Sequence, residues 1–178
     1  KVLDTGNLSQ YLGAWTNDFL GGPNVRKFEE NWATLLGAKH AVSVNSNTSG
    51  LFTAMGAIGI QPGDEVIVSP YSMSASAVAP LIYGGIPIFA DINAETYCMD
   101  PKSIEAKITP RTKAILVVHI FGHPAEMDAI MSIANKYNLI VVEDCAQAPL
   151  GKYKGQYVGT IGHIGVFSFN YHKHIHTG

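Results

Sequence analysis

Short, mostly apolar runs alternate along this chain with longer segments in which apolar residues recur every three or four positions. Such runs are typical of buried strands, and the wider spacing is typical of helices with one apolar face. The pattern predicts strands at residues 41–45, 65–69, 86–90, 114–118, 139–142 and 165–169. It predicts helices at residues 25–36, 51–58, 75–83 and 101–107, and one more after residue 123.

Polar residues, proline and glycine mark the predicted helix ends. Asn24 is the predicted N-cap of the first helix, and Gly37 ends that helix. Asp100 and Pro101 supply a cap and a first-turn proline for a later helix, and Pro124 is predicted to open the last one. The chain is therefore a regular succession of strands and helices.

This succession predicts an α/β fold, a three-layer sandwich in which a mostly parallel sheet lies between helices joined by right-handed connections. Ligands in such folds bind beyond the carboxyl ends of the strands. The segments that follow the predicted strands, and that we expect near a site, are residues 46–49, 70–74, 119–123, 144–147 and 168–173.

Composition narrows the function classes. The 178 residues are 47% hydrophobic and 15% charged, as expected of a globular domain of ordinary size. Twelve Lys and Arg against fourteen Asp and Glu leave a net charge of −2. This balance gives no electrostatic reason to expect nucleic acid or an anionic membrane as a partner.

The uncharged stretch at residues 66–90 is long enough to span a bilayer, but its serines, prolines and paired glycines break any continuous apolar helix. No secretory signal is visible at the amino terminus. Cys98 and Cys145 have no metal-ligand spacing, so the sequence predicts no metal site and favours a cytoplasmic location.

Candidate chemistry falls on residues that follow strands. The small polar residues 46–50 lead into a helix, where they either form an ordinary cap or bind a phosphate. Asp144 follows a run that is apolar on both faces, with Gln147 one turn later. Asp144 either caps a helix, joins an ion pair, or faces a cationic ligand atom such as a protonated pyridine nitrogen.

Lys173 lies in a segment with almost no other charge, after the predicted strand at residues 165–169. Most lysines are solvated at the surface. A lysine in a partly desolvated pocket beside other cationic groups instead has a lowered pKa, which Schiff-base chemistry with an aldehyde requires. Ser168, five residues earlier in the chain, can add a hydroxyl to a phosphate site.

Together these residues resemble a known family. The motifs are Phe28-Glu-Glu, Val42-Ser-Val-Asn-Ser-Asn-Thr48, Pro62-Gly-Asp-Glu-Val66, Val118-His-Ile-Phe-Gly-His-Pro-Ala-Glu-Met-Asp128, Glu143-Asp-Cys-Ala-Gln147 and Phe167-Ser-Phe-Asn-Tyr-His-Lys173. In this order they are similar to the pyridoxal 5'-phosphate-dependent sugar aminotransferases of the DegT/DnrJ/EryC1/StrS family, across nearly the whole chain. The resemblance implies the large domain of the aspartate aminotransferase-like (fold type I) architecture.

The resemblance also implies roles. Lys173 matches the Schiff-base lysine, and Asp144 matches the carboxylate that keeps the pyridinium nitrogen protonated so that the ring accepts electrons. Gln147 matches the residue near the cofactor's phenolic oxygen. The phosphate-binding positions are Thr48, Ser49 and Ser168.

Two positions depart from the family pattern. Met73 stands where an aromatic ring or His usually covers the pyridine, and either its thioether or Tyr71 takes that place. Asn47 replaces a common Gly, and Asn tolerates left-handed backbone. The alternating His172, His174 and His176 invite a metal-site interpretation, which we rank low because no Cys or carboxylate accompanies them.

By resemblance, the function is transfer of an amino group from glutamate or glutamine to a nucleotide-linked keto-sugar, in the biosynthesis of amino sugars, polysaccharides or antibiotics. The family forms homodimers with the active site at the subunit interface. A smaller domain follows this point in the family, so residues 1–178 are predicted to be the cofactor-binding part of a longer enzyme.

Two alternatives remain at this stage. The family includes sugar dehydratases that carry His in place of the lysine; Lys173 argues against that branch, although His174 is adjacent. The other alternative is a non-catalytic α/β module that binds a phosphate or nucleotide at residues 46–49.

Overall fold

A computed structural model describes residues 3–6 and 19–177 of the chain. They belong to two compact units, Lys1–Ser43 and Val44–Gly178. The first unit contains a 3₁₀ turn, Leu3–Thr5, and helix α1, Pro23–Leu36.

Helix α1 begins two residues earlier than predicted. Pro23 occupies its first position, and the extended Gly22 is the N-cap. The prediction that Asn24 caps this helix is wrong, because proline has the fixed φ of a first helical residue and starts the helix before Asn24. Gly37 ends the helix with a left-handed φ of 70°, as predicted.

The strand predicted at residues 41–45 is absent. Val42 and Val44, whose alternation suggested it, are both exposed. The backbone N–H and the hydroxyl of Ser43 both donate to a carboxylate oxygen of Glu29, at 2.6 and 2.8 Å. A side chain thus satisfies the donor that a neighbouring strand would otherwise use.

The second unit contains a five-stranded parallel sheet and a small hairpin. The strands are β1 (Glu65–Val68), β2 (Ile86–Phe89), β3 (Thr112–Val118), β4 (Ile140–Asp144), β5 (Lys152–Tyr153), β6 (Gln156–Tyr157) and β7 (Ile164–Val166). The sheet order is β2-β1-β3-β4-β7, with every neighbouring pair parallel. Four predicted strands are thus present with slightly shifted ends, and the predicted strand at 165–169 is reduced to β7.

The helices of this unit are α2 (Asn47–Ala57), α3 (Ser74–Val78), α4 (Pro101–Ala106) and α5 (Met127–Tyr137), with 3₁₀ segments at Ala79–Tyr83 and Ile120–Gly122. The connection from β1 to β2 runs toward one edge of the sheet. The connections from β2 to β3 and from β3 to β4 run toward the opposite edge. Right-handed connections therefore place α3 on one face and α4 and α5 on the other. Since α2 packs against α3, the unit has the predicted three layers.

The start of α5 corrects a further prediction. Pro124 does not open the helix, which begins at Met127. The N–H of Ala125 donates to Nδ1 of His119 at 3.1 Å, and this contact holds the intervening chain in a non-helical path. Asp100 caps α4 as predicted, since its carboxylate accepts the N–H of Lys102 at 3.0 Å.

The hairpin of β5 and β6 had no predicted counterpart. Its turn residues Lys154 and Gly155 both have positive φ, 49° and 88°, as a two-residue hairpin turn requires. Two-residue strands are too short to show periodicity in the sequence. No helix in the described ranges has both the length and the apolar character needed to cross a bilayer.

The pairing register brings three strand ends to one edge of the sheet. Val118 of β3 lies opposite Asp144 of β4, which in turn lies opposite Val166 of β7. Behind these ends the strands contain fully buried residues, such as Leu116 of β3 and Val142 of β4. The polar residues that follow β3, β4 and β7 therefore emerge together from a rigid apolar core.

Candidate active site

Helix α2 begins beside these strand ends. Its N-cap is Ser46, whose hydroxyl oxygen accepts the N–H of Ser49 at 3.1 Å. This cap starts the helix at Asn47, earlier than the predicted start at residue 51. Gly50 permits close approach to the sheet, because a Cβ there would lie 2.6 Å from Cγ1 of Val166. The first amides of a helix have no carbonyl of their own helix to bind, so this turn can hold an anion.

Asp144 is buried, with 4% of its surface exposed. Its carboxylate accepts hydrogen bonds from the Ser76 hydroxyl (3.0 Å), the Ala146 N–H (3.1 Å) and the Asn47 side-chain amide (3.4 Å). Burial raises the pKa of Asp144 above its ordinary value, and these hydrogen bonds offset only part of that shift. Because all three donors are neutral, a cation placed here would stabilise the ionised form.

Asp144 faces a cavity of about 150 Å³ formed by segments that are distant in sequence. The lining residues are Ser46, Asn47, Thr48, Ser72, Met73, Ala75, Val118, Asp144, Ala146, Gln147, Ser168, Asn170, His172 and Lys173. Seven of the eight predicted site residues are among them. The eighth, Ser49, instead uses its N–H and hydroxyl to bond the hydroxyl of Ser46.

Lys173 is half-buried in the segment that follows β7. Its backbone N–H donates to the carbonyl of Asn170 at 2.8 Å, which closes a turn in this segment. Its side chain lines both the cavity beside Asp144 and a neighbouring cavity of about 290 Å³. The larger cavity, which we call the Lys173 cavity, is also lined by Phe121, Gln147, His172 and His174.

The two candidates for a ring-covering side chain differ in position. Met73 is exposed at the N-terminus of α3 and lines the cavity beside Asp144. Tyr71 does not line that cavity, and its ring contacts Tyr97 and Phe121 at centroid distances of 5.9 and 6.0 Å. The geometry therefore favours Met73 as the side chain that covers a ligand ring.

Gln147 joins the loops after β3 and β4. Its Oε1 accepts the N–H of Phe121 at 2.6 Å. Phe121 and Gly122 both have positive φ, 55° and 83°, and a Cβ on Gly122 would lie 3.2 Å from the Gln147 carbonyl oxygen. With its oxygen engaged in this tight turn, Gln147 has its amide N–H groups to offer a ligand oxygen.

Behind Asp144 lies a buried hydrogen-bond network of two residues that stand in the quoted motifs, although the sequence did not indicate that they pair. Glu143 and His119 are both fully buried, with Nε2 of His119 2.9 Å from Oε2 of Glu143. Since Nδ1 of His119 accepts a backbone N–H, the ring is neutral and carries its proton on Nε2. The carboxylate also accepts the backbone N–H groups of Gly159, Ile161 and Gly162, at 2.7, 2.9 and 2.6 Å.

This network fixes the loop before β7 against β4. Burial alone would raise the pKa of Glu143, but the hydrogen bonds from His119 and from the backbone amides lower it below its ordinary value. Glu143 therefore stays ionised. It holds the chain that leads to Lys173 in a constant position relative to Asp144.

The same hydrogen bonds make a metal site at this point unfavourable. Donor atoms of His119, Glu143 and Cys145 all lie within 4.8 Å of one another. Both His119 nitrogens and both Glu143 oxygens are already hydrogen-bonded, and burial raises the pKa of the Cys145 thiol well above its ordinary value. Among the described residues, the alternating histidines at 172, 174 and 176 belong to no group of converging metal donors.

Sequence reasoning missed Ser76, the fully buried serine that donates to Asp144. Ser76 lies in α3, and its hydroxyl oxygen is 3.3 Å from that of Ser72, which precedes this helix. No periodic pattern in the sequence distinguishes Ser76 from the neighbouring serines.

Residues 8–178 match the model of the DegT/DnrJ/EryC1/StrS aminotransferase family. The chain belongs to this family. The predicted resemblance is confirmed, and so is the predicted fold class, since family members with solved structures share the three-layer α/β architecture.

Curated members of the family match most of the chain. The spore coat polysaccharide biosynthesis protein SpsC of Bacillus subtilis is 47% identical over 157 residues, which are 88% of this chain and 40% of SpsC. GDP-perosamine synthase of Escherichia coli O157:H7 is 46% identical over 157 residues, 88% of this chain and 43% of that protein. The chain thus spans about two fifths of the length of these relatives.

Solved structures of the family superpose closely. An aminotransferase from Psychrobacter cryohalolentis has a TM-score of 0.92 and 40% identity, and the match covers 99% of this chain and 42% of that one. NtdA from Bacillus subtilis, solved with bound cofactor PMP, has a TM-score of 0.87 and 37% identity, with coverage of 99% and 37%.

Proposed function

We propose that this chain forms the pyridoxal-phosphate site of an aminotransferase that acts on nucleotide-linked sugars. The observation that carries the proposal is the cavity beside Asp144, which is lined together by Lys173, the buried Asp144 and residues of the first turn of α2. When bound, pyridoxal phosphate supplies an aldehyde that an amine can bond and a ring that draws electrons from the reacting carbon.

The donor set fits each polar part of this cofactor. The first turn of α2, with the hydroxyls of Thr48 and Ser168, would bind the phosphate through helix amides and side chains. Asp144, whose pKa burial raises among neutral partners, would gain a cationic ring nitrogen as partner and keep that nitrogen protonated. The Asn47 amide would keep the carboxylate oriented from the other side.

Two further side chains complete the proposed cofactor site. The amide N–H of Gln147 would donate to the phenolic oxygen, because its own oxygen is bound to Phe121. Met73 would cover one ring face with its thioether. Ser49 would act indirectly, by fixing the Ser46 cap that starts α2.

Lys173 is the proposed covalent and acid–base residue. Its amine would hold the cofactor and, once displaced by an amino donor, would take a proton from the substrate carbon and return it to the cofactor carbon. Since Lys173 lines both cavities, the amine would face the cofactor in the smaller cavity and the substrate in the larger one.

The proposed amino acceptor is a nucleotide-linked keto-sugar, and the donor is glutamate or glutamine. The name of the relative GDP-perosamine synthase supports an amino sugar as product. Lys173 favours amination over the dehydratase branch, in which His replaces this lysine. The product would serve the biosynthesis of amino sugars, polysaccharides or antibiotics.

We further propose a homodimer in the cytoplasm. The homodimer rests on the family resemblance, in which two subunits complete each active site. A reducing compartment is supported by Cys98 and Cys145, which are free and buried. Burial raises the pKa of both thiols, so they stay protonated and unreactive.

The donor half-reaction tests the activity. Cofactor-loaded protein mixed with glutamate alone should convert to the pyridoxamine form, seen as loss of the visible absorbance of the bound aldehyde. Lys173→Ala should abolish this conversion, because no amine remains to move the proton. Lys154→Ala, a change at an exposed lysine in the β5–β6 turn, is the matched control and should react like the parent. Release of a deoxy sugar without glutamate-dependent amination would contradict the proposal and identify a dehydratase.

A further inference from the structure

Three aromatic rings form an exposed cluster at the rim of the Lys173 cavity. The aromatic cluster consists of Tyr71 after β1, Tyr97 in the turn before α4, and Phe121 after β3. The ring centroids lie 5.9, 6.0 and 6.4 Å apart, and the residues are 45%, 47% and 66% exposed. Phe121 also lines the Lys173 cavity, so the cluster extends that cavity outward.

Each ring is held on an ordered loop. The three backbone N–H groups of Tyr71, Tyr97 and Phe121 donate to Ser69 Oγ (3.2 Å), the Asn93 carbonyl (2.8 Å) and Gln147 Oε1 (2.6 Å). Tyr97 and Phe121 have left-handed φ values of 60° and 55°. Bulky residues adopt this conformation rarely, and it persists where the surrounding structure enforces it. The rings are therefore pre-positioned and still exposed.

The arrangement suits a flat ligand with a polar edge. Phe121 stands nearly perpendicular to both tyrosines, with interplanar angles of 71° and 76°. Aromatic faces stack on planar rings, and the two phenolic hydroxyls can donate to or accept from polar atoms at the ring edge. An exposed apolar patch at the mouth of a reactive cavity is typical of a ligand-binding surface.

We infer that the aromatic cluster binds the nucleobase of the sugar nucleotide, an inference that rests on the proposed function. The sugar carbon that receives the amino group must lie at Lys173. The nucleoside is joined to the sugar through phosphates, so it must lie outside the cavity. Phe121 lines the Lys173 cavity, and the rings of Tyr71 and Tyr97 contact Phe121 without lining that cavity. The cluster therefore provides stacking surface next to the cavity and outside it, where the nucleoside must lie.

Substitution of the two tyrosines in the holoenzyme tests the inference, because neither lines a cavity that we assign to the cofactor. Tyr71→Leu and Tyr97→Leu keep an apolar side chain but remove the π face. Loss of one stacked ring should raise the KM for the sugar nucleotide, and the Kd for UDP, GDP or dTDP, about tenfold. The rate and the KM for glutamate in the half-reaction should stay close to those of the parent, since glutamate has no base to stack.

Tyr137→Leu is the matched control. Tyr137 is an exposed tyrosine at the carboxyl end of α5. This end of the helix leads into the start of β4, so it lies at the edge of the sheet away from the proposed site. This variant should bind nucleotides like the parent. Size-exclusion chromatography of every variant checks the oligomeric state.

Two results would overturn the inference: an unchanged KM and nucleotide Kd in both tyrosine variants, or dissociation of an oligomer that the parent forms. The second result would mean that another subunit covers the cluster. Failure of the proposed function is a separate outcome, in which the parent itself does not react with glutamate. In that case the nucleotide Kd values of parent and variants still decide the role of the cluster.

Discussion

Asp144 is a residue that would serve the proposed chemistry and would lower the stability of the ligand-free protein when ionised. The carboxylate is buried among neutral donors, and that burial raises its pKa. Ionising such a group without a cationic partner is unfavourable. The ionised carboxylate therefore costs the ligand-free protein stability that a cationic ligand atom would restore.

Replacing Asp144 by Asn should therefore leave the ligand-free protein as stable at neutral pH, or about 1 kcal/mol more stable. An acid whose folded-state pKa lies above its unfolded value binds its proton more tightly when folded. Stability then falls as pH rises from the ordinary Asp range through the raised pKa. The advantage of Asn should appear across this window and vanish in acid, where the parent carboxyl is neutral.

Urea unfolding of cofactor-free protein at about pH 4 and about pH 8 measures this difference. The same variant should fail to retain pyridoxal phosphate. If Asp144→Asn were clearly less stable than the parent at the higher pH, the carboxylate would have a structural role that outweighs its burial.

At this scale, the sequence predicted that Gln147 and Lys173 lie near the ends of parallel strands, and both residues line the cavity there. Their roles stay predictions. The sequence did not reveal Ser76 or the His119–Glu143 pairing, which depend on contacts across helices and loops. No local pattern encodes such contacts, because each depends on which elements become neighbours.

At the scale of elements, the site depends on how closely α2 approaches β7. Gly50 lies where a Cβ would meet Val166 at 2.6 Å. The loop before β7 is fixed in turn by the Glu143 carboxylate. The first turn of α2 and the segment that carries Lys173 are thus positioned by the same strand.

Gly50→Ala should lower the free energy of unfolding by about 1–3 kcal/mol, although alanine favours helix, because the added methyl overlaps the Val166 side chain. Val166→Ala removes the overlapping Cγ1 atom. The double variant should therefore lose at least about 1 kcal/mol less than the sum of the two single changes. Denaturant unfolding of the four proteins measures this coupling, and strictly additive losses would show that the two residues do not oppose each other.

Prediction of strands and helices was reliable where an apolar run was long. It failed where hydrogen bonds to side chains determined whether a strand forms or where a helix begins. β3 and β4 are buried on both faces and appear as predicted. The strand at residues 41–45 is replaced by hydrogen bonds to Glu29, and α5 starts late because His119 binds the N–H of Ala125. In both cases, hydrogen bonds to a specific side chain outweigh a local tendency.

At the scale of the whole molecule, family membership and the α/β sandwich agree with the sequence pattern. The relatives are about twice as long as this chain. The second, smaller domain that the resemblance implies stays a prediction, as does the homodimer. The residues that we propose for the cofactor site all belong to the unit Val44–Gly178.

Covalent attachment of pyridoxal phosphate to Lys173 is the central claim, and borohydride reduction followed by peptide mass mapping tests it most directly. Reduction of protein saturated with the cofactor should fix one pyridoxyl group, on the peptide that contains Lys173. Lys173→Ala should carry none, while Lys154→Ala should be labelled like the parent. Cofactor-saturated protein with no adduct on Lys173, or with the adduct on another lysine, would contradict the account.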